Sequence, residues 1–188
     1  GVAGVVGCSN LTFGGHDVLT VELTKELIKR DIIVLSAGCS SGGLENCGLM
    51  SPEAAELAGP KLRVICEKLG IPPVLNFGPC LAIGRLEIVA TELAAEIGID
   101  LPQMPLVLSA PQWLEEQALA DGAFGLALGL PLHLGEAPFI TGSKLVVDVL
   151  TKKMKSLTGG QVIVDPDASS AADKLEGIIL EKRAALGL

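Results

Sequence analysis

The chain has 188 residues, 49% of them apolar and 19% charged, with a formal net charge of −8. That length suffices for one domain with a sizeable core, and an acidic chain without a basic run argues against nucleic-acid or anionic-lipid binding. Four Phe, one Trp and no Tyr leave an aliphatic core, the composition of a parallel sheet buried on both faces.

The elements are predicted in chain order. Val2 to Gly7 reads as a short strand ending in Gly, and Asp17 to Lys29 has helical apolar spacing. Ile32 to Ser36 is a second strand, and Pro52 to Leu69 a second helix. Pro73 to Phe77 and Leu81 to Ile97 repeat the pattern. Leu106 to Ser109 is a fourth strand, and Pro111 suits the first turn of a helix over Gln112 to Asp121. Ala123 to Leu128 is expected as a fifth strand, Gly142 to Met154 as a helix, Val162 to Asp165 as a sixth strand and Ser169 to Ala185 as a closing helix.

This alternation predicts an α/β fold: an open, doubly wound, Rossmann-like and mostly parallel sheet of about six strands with helices on both faces. A single domain over residues 1–188 is expected. The mean hydropathy of +0.53 is high for a domain of this size, so part of the surface is expected to lie under another domain or subunit. The longest apolar stretch, Ala123 to Leu134, is broken by Gly and Pro and is too short to span a bilayer. Five irregularly spaced cysteines do not read as a secreted disulfide framework, and the expected compartment is the cytoplasm. The chain opens directly in a strand, the expectation for a fragment of a longer protein.

Three cysteines share one topological position. The first strand runs into Gly7-Cys8-Ser9-Asn10, the second into Gly38-Cys39-Ser40-Ser41, the third into Gly78-Pro79-Cys80. Right-handed crossovers put every loop after a strand on one edge, and strands about 4.8 Å apart bring three such loops within roughly 10 Å. Glycine before each cysteine allows a sharp turn and close approach to a bulky group. Thiolates near helix N-termini are favoured by the N–H groups there. Three soft thiolates on one rim suit an iron–sulfur centre, alone or with another soft metal. Buried structural cysteines are the plainer alternative. Cys66, inside the second helix, is read as core, and Cys47 as a loop residue beside Cys39. Gly38 to Gly43 lacks the lysine and spacing of a phosphate loop.

The segments Gly4-Val5-Val6-Gly7-Cys8-Ser9-Asn10, Lys25 to Ile28, Ile33 to Cys39 and Ile71 to Cys80 resemble the C-terminal domain of the nickel-containing carbon monoxide dehydrogenases. The hybrid-cluster (prismane) proteins are similar more distantly. The resemblance runs from Gly1 to about Lys144. It implies that Cys8, Cys39 and Cys80 ligate a nickel–iron–sulfur cluster in the intact protein. The family's ligand histidine and a further cysteine belong to upstream domains of the same protein, so this chain alone is expected to be apo and inactive. The resemblance also implies an anaerobic oxidoreductase that oxidises CO, acts as a homodimer and passes electrons to a protein such as ferredoxin.

Ser109 to Ala118 resembles the family's loop and helix after the fourth strand, with Gln117 where the family usually carries a lysine. A lysine there would stabilise negative charge on a substrate oxygen; glutamine donates a hydrogen bond without charge. Glu115 is a candidate hard ligand in the hybrid-cluster manner, or a solvated first-turn acid. His133 is expected on the functional rim just past the fifth strand, as a hydrogen-bond donor behind the ligands. His16 is read as an exposed loop residue and Trp113 as packing. Two alternatives stand beside CO oxidation: a hybrid-cluster-like hydroxylamine or nitric oxide reductase domain, and a non-catalytic domain that binds a cluster or a partner.

Overall fold

The computed structural model describes residues 1–188. Six parallel strands form one sheet: β1 (Val2–Gly7), β2 (Ile33–Gly38), β3 (Val74–Asn76), β4 (Leu106–Ala110), β5 (Leu132–Leu134) and β6 (Val162–Val164), in the order β3-β2-β1-β4-β5-β6. The helices are α1 (Val18–Lys29), α2 (Cys39–Asn46), α3 (Pro60–Leu69), α4 (Gly84–Ile97), α5 (Glu116–Ala127), α6 (Lys144–Asp148), α7 (Met154–Leu157) and α8 (Ala168–Ala185). A π-helical turn, Val149–Lys153, joins α6 to α7. This is the doubly wound order, and it reverses direction between β1 and β4.

One face of the sheet carries the main core. Ala3, Val5, Val34 and Val107 pack there against Leu23, Leu27 and Ile28 of α1, Leu62 of α3, and Leu175 and Ile179 of α8. The other face meets α4 and α5 more loosely. An apolar groove of about 830 Å³ lies between those helices, over Val6, Leu106, Leu108 and Leu132. Large apolar side chains stay exposed on this side, among them Ile88, Leu93 and Ile97 of α4 and Phe124 of α5. No helix is long and apolar enough to cross a membrane.

The structure corrects the predicted elements in four places. The expected strand Ala123 to Leu128 is the second half of α5, and β5 lies beyond it at Leu132–Leu134. Small residues let this helix press on the sheet. A Cβ on Gly125 would stand 2.2 Å from Leu108 Cδ1, and one on Gly122 2.7 Å from Leu132 Cδ2. The expected helix from Gln112 starts at Glu116 instead, because Gln112 is turned inward and tied to the loop after β1. Pro52 to Leu69 is a 3₁₀ turn followed by α3, broken at Ala58-Gly59 before Pro60. The stretch after Cys39, read as a loop, is α2.

Candidate metal centre

The three cysteine loops are aligned by a row of glycines. Gly7 and Gly38 are register partners at the ends of β1 and β2, and the Gly38 N–H donates to the Gly78 carbonyl at 2.9 Å. All three have positive φ: 110° at Gly7, 84° at Gly38 and 100° at Gly78. L-residues avoid this region. At Gly38 there is also no room, since a Cβ would stand 2.8 Å from the Gly7 carbonyl oxygen. The chain turns sharply at each glycine, and the following cysteine comes to the carboxyl edge of the sheet.

Cys8, Cys39 and Cys80 line one cavity of about 660 Å³ with Ser9, His16, Ile83, Leu114, Glu115, Gln117, Ala118 and Asp121. Its walls come from the loops after β1, β2, β3 and β4, at the point where the strand order reverses, where such sheets bind ligands. Cys39 opens α2 directly after Gly38. Its thiol is nevertheless held above the usual thiol range, by desolvation first and then by the neighbouring Cys8 and Cys80 thiols and the Glu115 and Asp17 carboxylates. The favourable helix terminus expected from sequence is outweighed by desolvation and, after it, by crowding among groups that become anions. Soft metal cations are the charges that relieve such crowding. No three His, Cys, Asp or Glu side chains close around a single ion. Thiols spread around a cavity suit a multi-metal cluster instead, in which each thiolate takes a different metal atom. The donor set therefore fits a metal–sulfur cluster.

A buried amide braces the Cys8 loop. Gln112, fully buried, donates from Nε2 to the carbonyls of Asn10 at 2.6 Å and Gly15 at 3.0 Å, and accepts the Thr20 N–H at Oε1 at 3.2 Å. Asn10 returns two bonds, from Nδ2 to the Trp113 carbonyl at 2.6 Å and from its N–H to the Gln112 carbonyl at 3.1 Å. The loops after β1 and β4 are thereby one unit. Sequence reading missed both, since neither a polar residue in a predicted loop (Asn10) nor one at the start of a predicted helix (Gln112) carries a sign of burial.

The remaining sequence candidates separate clearly. Gln117 and Glu115 are exposed and line the cavity. His16 lines its mouth, paired with Asp17 at 2.8 Å. Cys66 is buried in the main core, Cys47 is exposed at the end of α2, and neither lines the cavity. Trp113 packs edge-on against Phe139, and its Nε1–H donates to the Glu136 carbonyl at 2.8 Å.

His133 lies inside β5 rather than past it, and it does not line the cavity. It is fully buried on the face covered by α8. A carbonyl can only accept, so Nε2–H donates to the Asp165 carbonyl at 2.9 Å. Nδ1 then accepts from the Ser109 hydroxyl at 2.7 Å. Burial lowers its pKa, and both ring nitrogens are committed to the scaffold.

Asp121 was also missed. It sits one turn beyond Gln117 on α5 and lines both the cavity and the apolar groove. Its Oδ2 is sealed from solvent with no hydrogen-bond partner, and burial raises its pKa. The four-residue spacing from Gln117, already inside the helix expected over Gln112 to Asp121, is the signal that could have placed it.

Residues 1–169 match the Prismane/CO dehydrogenase family. A carbon monoxide dehydrogenase of Methanocaldococcus jannaschii is 56% identical over 188 residues, covering 100% of this chain and 30% of the relative. A nickel-free, as-isolated carbon monoxide dehydrogenase from a Thermococcus species superposes with a TM-score of 0.95 at 43% identity, covering 100% of this chain and 29% of that one. Carbon monoxide dehydrogenase IV of Carboxydothermus hydrogenoformans gives a TM-score of 0.95 at 36% identity over 100% of this chain and 31% of its own. The chain belongs to the Prismane/CO dehydrogenase family, and it spans about 30% of the length of these curated relatives.

Proposed function

We propose that this chain is the C-terminal cluster-ligating domain of a nickel–iron–sulfur carbon monoxide dehydrogenase, an anaerobic enzyme that converts CO and water to CO₂, two protons and two electrons. The observation that carries this reading is the meeting of Cys8, Cys39 and Cys80 in one cavity at the strand-order reversal of a family member. When bound, the cluster supplies the redox-active metals at which CO and water react. The three thiolates hold it from one side, and upstream domains of the same protein supply the remaining ligands. Leu114, Ala118 and Ile83 give the cavity an apolar wall. Gln117 donates its amide N–H to the substrate oxygen as negative charge grows there, without the cation the family usually provides. The intact protein is a cytoplasmic homodimer that passes electrons to a carrier such as ferredoxin. The chain alone is apo, because binding energy is shared among ligands it lacks.

Glu115 on the cavity wall favours a second reading, a hybrid-cluster-like reductase of hydroxylamine or nitric oxide. Metal analysis of anaerobically prepared full-length protein separates the two. Nickel with iron, CO oxidation, and loss of both metals in Cys8→Ala, Cys39→Ala and Cys80→Ala are the expected results. Iron without nickel, with hydroxylamine reduction, would replace the first reading by the second. Full-length protein without either metal would sink both.

A further inference from the structure

We propose that Asp121 is the proton-carrying group of this site: its carboxylate takes a proton from the reacting water during CO oxidation and returns it to a CO₂ oxygen in the reverse direction. This rests on the carbon monoxide dehydrogenase reading above.

Asp121 stands where the cysteine cavity meets the apolar groove, and it lines both. The titratable groups on the cavity wall with it are Cys8, Cys39, Cys80, His16 and Glu115, and across the groove Glu87. No lysine or arginine lines either space. Oδ2 has no hydrogen-bond partner and no solvent contact. A carboxylate oxygen in that position costs stability and calls for an explanation, which a proton-carrying role supplies. Apolar surroundings raise its pKa, bringing it toward the range in which a group both accepts and releases protons.

The other candidates for this task are less suited. Glu115 is exposed. His16 is 63% exposed and already paired with Asp17. Gln117 donates a hydrogen bond but exchanges no proton at working pH. Asp121 follows Gln117 by four residues on the same helix, so both reach the same cavity.

The step moves a proton and no electrons. An O–H bond of the water breaks, its electron pair stays on the oxygen that joins carbon, and a new O–H bond forms at Asp121 Oδ2. The second proton of the overall reaction leaves by another route, and the two electrons leave in the separate redox step of the established family reaction.

The test uses full-length metallated protein. Infrared difference spectra, with and without CO, are expected to show the protonated carboxyl stretch of an aspartic acid in the wild type and to lose it in Asp121→Asn. Nickel and iron contents should be equal in the two proteins. CO oxidation by Asp121→Asn should fall about a hundredfold and lose the limb of its pH profile that reports this acid, and Asp121→Glu should regain part of both. A wild-type spectrum with no such band, or an Asn variant within threefold of wild type with an unchanged pH profile, overturns the proposal. Wild-type protein that lacks nickel or does not oxidise CO overturns the function reading and this proposal with it, whereas CO oxidation without the band overturns the proposal alone.

Discussion

Replacing Gln112 by alanine should loosen the Cys8 loop more than any surface change nearby. The substitution strands the Asn10 and Gly15 carbonyls and the Thr20 N–H, all bonded to this one side chain. At about 1 kcal/mol for each net hydrogen bond, the local loss is about 3 kcal/mol, or roughly a hundredfold in the opening equilibrium. The assay is hydrogen–deuterium exchange of the full-length protein. Peptides over residues 8–21 should exchange roughly a hundredfold faster, and peptides over α8 should not change. Nickel and iron contents should fall in parallel, because Cys8 heads that loop. Gln112→Glu should not rescue, since it turns a double donor into an acceptor facing two carbonyls. Exchange of residues 8–21 within threefold of wild type in Gln112→Ala would refute the idea that this amide holds the loop.

Gly38→Ala should lower the melting temperature and empty the metal site, because it adds a Cβ 2.8 Å from the Gly7 carbonyl oxygen at a φ of 84°. Gly14→Ala, at a φ of 80° with nothing within 4 Å, should cost only about 1 kcal/mol and leave metal content intact. Asp165 gives a pH signature. Burial alone would raise its pKa, but Lys174, Ser170 and the Asp167 N–H hold it at about 2. Its stabilisation is therefore fully present above the unfolded value of 3.8 and is lost as pH falls through about 2. After screening by water around the half-exposed Lys174, it is worth about 1 to 2 kcal/mol. Asp165→Asn should speed exchange over 162–185 at neutral pH and match wild type in strong acid.

The cysteine row was legible because each part of it is local or topological. Gly7, Gly38 and Gly78 stand one or two residues before their cysteines in the sequence, and all three take the positive φ that glycine permits. The parallel alternation then puts every such loop on one edge, and six strands do form one parallel sheet. What was not legible follows from α5. Its second half, Ala123-Phe124-Gly125-Leu126-Ala127, is a short apolar run bounded by glycines, and periodicity alone does not separate that from a buried strand. Contact decides it: Gly122 and Gly125 sit almost on Leu132 and Leu108. With the fifth strand drawn nine residues early, His133 was pushed out of β5 onto the rim. Gln112 and Asn10 were hidden for a different reason, since their importance lies in bonds between loops about a hundred residues apart.

Gln117 and Asp121 make sense together. A lysine at position 117 would stand one turn before Asp121, the spacing at which opposite charges pair on a helix. Such a cation would hold Asp121 ionised and below its ordinary pKa. With the neutral amide there, Oδ2 is left without a partner, and its surroundings push the other way. Gln117→Lys should therefore not simply add an electrostatic donor to the site. The new ammonium should be neutralised by Asp121, and the aspartic acid band should vanish from the infrared difference spectrum with little gain in CO oxidation. In Gln117→Lys combined with Asp121→Asn the ammonium is free but the proton carrier is gone, and turnover should exceed that of Asp121→Asn alone while staying below wild type. A double-mutant cycle isolates this coupling. Additive effects at the two positions, with the acid band intact in Gln117→Lys, would mean that they act independently.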